Sequence, residues 1–78
     1  MTDLTKEAVE GFSHCEGRHS DCPYYISSSS HMAWLVGAWL KRTGRSAPRD
    51  VRTGRGYHIR ANDMLIGFDQ HWSPYRIT

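Results

Sequence analysis

No run of apolar residues in this 78-residue chain approaches the ~20 needed to span a membrane as a helix. The first residues, Met1-Thr2-Asp3-Leu4, lack both the basic start and the apolar core of a signal peptide. The expectation is therefore a cytoplasmic protein whose two cysteines are reduced. Phosphate-loop chemistry is missing as well, because Gly44, Gly54 and Gly56 are too widely spread to cradle a nucleotide. A cysteine nucleophile would need a histidine base oriented by a third group, and the sequence offers no such orienter. A chain this short also buries a modest fraction of its surface and leaves little room for a deep pocket. These absences lead to the expectation of a protein without catalytic activity.

Charge is abundant but unevenly placed. Residues 1–40 carry Lys6 and Arg18 against Asp3, Glu7, Glu10, Glu16 and Asp21. Residues 41–78 carry Lys41, Arg42, Arg45, Arg49, Arg52, Arg55, Arg60 and Arg76 against Asp50, Asp63 and Asp69. A basic half in a chain of net charge +2 points to an anionic partner, or else to a solvated basic loop.

Periodicity predicts a first helix over residues 4–16, opened by Thr2 or Asp3 and ended near Gly17. Leu4, Ala8, Phe12 and Cys15 form its apolar stripe with Val9 beside it, while Glu7 and Glu10 face water. Gly11 inside that helix costs up to ~1 kcal/mol relative to alanine, which suits a close helix contact. After the Pro23 turn and the serines at 27–30, a second helix is expected over residues 31–42. Ser29 or Ser30 would cap it, and Gly44 would stand just past its end. Met32, Leu35, Val36, Trp39 and Leu40 make its wide apolar face. Trp34 lies ~140° around the helix from Trp39, and is either covered by the rest of the fold, the favoured alternative, or an exposed partner anchor.

Residues 43–56 read as a mobile basic loop rich in Gly, Pro and Arg. Beyond it, Tyr57-His58-Ile59-Arg60 and Met64–Phe68 flank Asn62-Asp63, good turn chemistry for a β-hairpin. Tyr75-Arg76-Ile77 alternates and would add a third strand. Tyr57 and Ile59 are expected on the core face, with His58 and Arg60 pointing away. The fold class is thus α+β: a small single domain over 1–78 with two packed helices over 1–42, the basic loop over 43–56, and a C-terminal β-hairpin or three-stranded antiparallel sheet over 57–78.

Gly11, Phe12, Gly17, Arg18, Cys22, Pro23, Tyr24, Trp34, Leu35 and Gly37 follow the order G-[YF], G, GR, C-P-Y, W-L-x-G. Over about residues 7–42 the chain thereby resembles the ribosome modulation factor family. That resemblance implies a non-enzymatic regulator that binds small-subunit ribosomal RNA and inactivates ribosomes by promoting their pairing. The binding residues expected from charge and aromatic interleaving are Lys41, Arg42, Arg45, Arg49, Arg52, Arg55, His58 and Arg60. No cofactor is expected. A second reading is a small phage or mobile-element inhibitor, anti-CRISPR-like, that binds a host protein complex and blocks its nucleic-acid site, with Trp34 as its anchor. A third is a zinc-binding module built on Cys15, His19 and Cys22, a ligand set that zinc prefers at a spacing no standard finger uses.

Overall fold

The computed structural model of the chain describes residues 3–14, 22–54 and 56–78. Two helices, α1 (Thr5–Phe12) and α2 (Ser29–Arg42), precede four short strands: β1 (Arg52–Thr53), β2 (Ile59–Ala61), β3 (Met64–Phe68) and β4 (Pro74–Arg76). The strands form one antiparallel sheet in the order β1-β2-β3-β4. The architecture is α+β, with one strand more than the sequence predicts.

Helix α2 is the centre of the molecule. Every residue from His31 to Ala38 is buried, as is Leu40, because α1 packs on one side of it and the sheet on another. A helix that is apolar nearly all round needs such double coverage. Leu4, Ala8, Met32, Ala33, Val36, Leu40, Val51, Ile59, Ala61, Met64 and Ile66 make the main core, and Trp34, Leu35 and Ala38 make a second cluster. The two helices approach at glycines. A Cβ on Gly11 would collide with the backbone carbonyl of Trp34, and one on Gly37 with that of Ala8. Gly11 therefore trades helix propensity for a close backbone crossing.

The ends of α2 are specified locally. Ser28, in extended conformation, accepts a hydrogen bond from the His31 amide through its Oγ (3.1 Å). The cap is thus one residue before the predicted pair, since the left-handed turn at Ser27 (φ 73°) decides which serine of the run stands at the entry. At the other end Gly44 is left-handed (φ 71°). The Arg45 amide donates to the Leu40 carbonyl and the Gly44 amide to that of Lys41, closing a Schellman motif.

Glu7 and Glu10 do more than face water. Tyr24 donates its hydroxyl to Glu10 Oε2 (2.6 Å), and Ser30 donates to Glu7 Oε2 (3.2 Å), so α1 is tied both to the turn before α2 and to the first turn of α2. The first helix ends at Phe12, with Ser13 as its C-cap and His14 already outside it, short of the expected end near residue 16; Cys15 and Glu16 lie outside the described residues.

Within the basic segment expected over 43–56, residues 46–51 are tied to the rest of the fold. Pro48 and Val51 are buried. The Leu4 amide donates to the Val51 carbonyl (2.9 Å), and the Val51 amide to Thr5 Oγ1 (3.2 Å). Asn62 staples the rest: its Oδ1 accepts from the Arg49 amide (2.7 Å), and its Nδ2 donates to the carbonyls of Ser46 (3.1 Å) and Ala47 (3.2 Å). Asn62 and Asp63 both have positive φ (52° and 63°), as a two-residue hairpin turn requires. The residue that turns the hairpin thereby also fixes the arginine-rich segment.

Candidate nucleic-acid interface

Elementary electrostatics separates the predicted basic residues into two groups. Lys41 and Arg42 occupy the last turn of α2, where cations meet its negative end favourably. Lys41 Nζ lies over the Phe12 ring, 5.2 Å from its centroid, and the Arg45 guanidinium lies 4.9 Å from the centroid of Trp39. These contacts hold exposed cations against aromatic faces. The second group is on the sheet. Ile59 and Ala61 are buried beneath α2, so Arg60 between them projects from the opposite face. Arg52 is its direct cross-strand partner, and Leu65 flanks Arg60 on the other side.

Two arginines directly opposite on one strand pair repel each other. Asp50 moderates this by accepting from Arg52 (2.8 Å to Nε, 2.7 Å to Nη2), and Asp3, bridged to Arg52 through the backbone, stands at the end of the same row. The Thr5 hydroxyl and amide both donate to Asp3 Oδ1, and with Arg52 nearby they hold its carboxyl below the usual range.

After the end of α2 lies a cleft of about 330 Å³, lined by Gly44, Arg45, Ser46, Arg49, Asn62 and Met64. Arg45 and Arg49 are brought together here because the Schellman turn reverses the chain after α2 and Asn62 then pins residues 46–49. Arg49 also meets Asp63 at 3.5 Å, both side chains being largely exposed. Such a surface pair is worth ~0–1 kcal/mol, so a phosphate can replace the carboxylate at small cost.

The remaining predicted residues are scattered. His58 is half-buried in the turn before β2. Arg55 lies outside the described residues, as do Cys15 and His19 of the zinc set. Cys22 is described: it packs beside the Trp34 cluster, and burial pushes its thiol pKa up, away from thiolate chemistry. Among the described residues no three His, Cys, Asp or Glu side chains gather as a metal site, and no helix is long and apolar enough to cross a membrane.

The favoured alternative holds for Trp34, whereas Trp39 and Tyr57 need correction. Trp34 is 3% exposed and cannot serve as a surface anchor; the His14 ring lies 5.4 Å away, and Cys22, Tyr24, Phe68 and Trp72 pack on its cluster. Trp39, expected on the wide apolar face, is half-buried under Arg45. Tyr57 is likewise 61% exposed instead of core-facing, because β2 begins only at Ile59.

Sequence reasoning missed Tyr75. It is 48% exposed on β4, opposite Gly67, and its ring lies over that glycine where a side chain would otherwise stand. The alternation of Tyr75-Arg76-Ile77 was the available signal. Arg52, Arg60, Leu65, Tyr75 and Ile77 thus share the sheet face turned away from α2. No protein-family model matches the chain, and no curated protein or solved structure is significantly similar to it.

Proposed function

We propose that this protein is a non-enzymatic regulator, resembling ribosome modulation factor, that binds ribosomal RNA and inhibits translation. The observation that carries the RNA reading is the cleft in which Arg45 and Arg49 converge with Ser46 and Asn62. Planar guanidinium forks match phosphate oxygens in pairs, and the exposed ion pair at Arg49 yields readily to a phosphate. The neighbouring sheet face supplies what a single strand needs beyond charge: Arg60 for the backbone and the Tyr75 ring for a base. The Cys-Pro-Tyr turn at residues 22–24 and the Trp34-Leu35 helix carry the family resemblance; Trp34 and Leu35 are buried and Cys22 and Tyr24 pack against them, which leaves contact with RNA to the basic half.

A second reading, a phage or mobile-element inhibitor of a host protein complex, draws support from Tyr25 and Ile26. These neighbours are 88% and 53% exposed beside the left-handed Ser27 and would replace Trp34 as apolar anchors. Capture from a bacterial lysate with the tagged chain separates the two. Recovery of small-subunit ribosomal RNA, lost on ribonuclease treatment or in high salt, is the expected result. Recovery of a protein complex free of RNA would overturn the first reading in favour of the second.

A further inference from the structure

Tyr57, just before β2, and the loop between β3 and β4 meet at a cleft remote in chemistry from the arginine site. It has a volume of about 360 Å³ and is lined by Tyr57, Phe68, Asp69, Gln70 and Trp72. Tyr57 and Trp72 stand nearly perpendicular (88°) with centroids 5.8 Å apart, and Phe68 meets Trp72 at 54° and 6.0 Å. We infer that this cleft binds a methylated ammonium group, with the three rings as its walls and the Asp69 carboxylate at its edge.

Ring geometry selects the ligand. A flat base is held best between parallel rings, whereas rings inclined to one another enclose a rounded group and can turn several faces toward it. Each aromatic face is the negative pole of a quadrupole and attracts a cation. The charge of the cleft agrees. Asp69 Oδ1 accepts from the amides of Ser73 (2.9 Å) and His71 (2.8 Å), and these bonds hold its carboxyl below the usual range, so it is anionic at neutral pH. A carboxylate repels phosphate and favours a cation.

The cleft is also preformed. Trp72 has a left-handed backbone (φ 62°), unusual for a bulky residue, and its ring meets the buried His31 ring edge-on at 5.2 Å. Strained backbone held by surrounding contacts is characteristic of ligand clamps. Tyr57, by contrast, is mostly exposed and can be changed without opening the core.

The test is titration of the full chain with choline, followed by tryptophan fluorescence and indole N–H shifts. Saturable binding is expected, with the neutral tert-butyl analogue dimethylbutanol at least about tenfold weaker. Tyr57→Ala should lose about tenfold in affinity at unchanged melting temperature. Asp69→Asn, which keeps a carbonyl acceptor for the loop amides, should weaken choline but not dimethylbutanol. A trimethyllysine peptide run beside choline distinguishes a protein-borne ligand from a small molecule, and binding of either supports the site. Equal affinity for dimethylbutanol, tighter binding of adenosine monophosphate, no saturation by either methylated probe, or undiminished binding in Tyr57→Ala would each overturn it.

Discussion

Trp34 and Trp39 illustrate how five residues of helix separate two fates. Trp34 faces the second cluster and is almost fully buried, while Trp39 sits near the end of α2 with one ring face under the Arg45 guanidinium. Trp34→Ala should therefore destabilise the domain by roughly 3–5 kcal/mol, enough to unfold much of the population. Trp39→Ala should cost about 1–2 kcal/mol, because part of that ring already meets water. Urea denaturation of both variants checks the ranking, and a Trp39→Ala variant less stable than Trp34→Ala would reverse it. The angular separation was legible from sequence, and so was coverage of Trp34 as the favoured alternative. Which tryptophan lay deeper was not, since that depends on where α1 and the sheet cover the helix.

Asn62 works at the same scale with a wider reach. Three side-chain hydrogen bonds to residues 46–49 and a left-handed backbone meet in one residue. Asn62→Ala removes all three and places an alanine where φ is positive, so a loss of about 2–3 kcal/mol is expected. Amide exchange at Arg49, whose N–H donates to Asn62, should accelerate with it; protection unchanged in the variant would mean that other contacts hold the segment.

At the scale of elements, α1 is joined to the chain leading into α2 by the Tyr24–Glu10 hydrogen bond. As donor to Glu10 the Tyr24 phenol has its pKa pushed up from the ordinary value near 10 to about 12. A raised folded-state pKa contributes stability that is complete below pH 10 and is lost as pH rises through about 12. Subtracting the ultraviolet titration of Tyr24→Phe from that of the wild type should isolate a phenolate transition with its midpoint near 12. A midpoint at 10 would show that the tether does not persist in solution.

Elements with strong local signals were readable in advance. The Asn62-Asp63 turn, the alternation into β2 and β3, and Gly44 past the end of α2 each follow from residues within a few positions of one another. Strand β1 was not readable, because Arg52-Thr53 has no apolar alternation of its own. It forms through long-range bonds, to Ile59 and Arg60 on one side and to Asp3 on the other. The same cause hid the arginine cleft. Composition located the basic residues, but their division between helix end, cleft and sheet face depends on Asn62 reaching back across the chain.

The whole molecule turns one surface inward and a basic one outward. Helix α2 is enclosed by α1 and the sheet, and the basic half of the chain wraps from the end of α2 to the outer sheet face. The RNA binding proposed for that surface would release counterions in proportion to the phosphates contacted. The direct measurement is the slope of log affinity against log salt for a single-stranded RNA, wild type beside the Arg45→Gln/Arg49→Gln variant. Both side chains are exposed, so the variant should fold. The account predicts weaker binding and a slope shallower by about 1.4, roughly 0.7 for each lost phosphate contact. A slope unchanged in the double variant, or a wild type whose RNA affinity does not respond to salt, would contradict it.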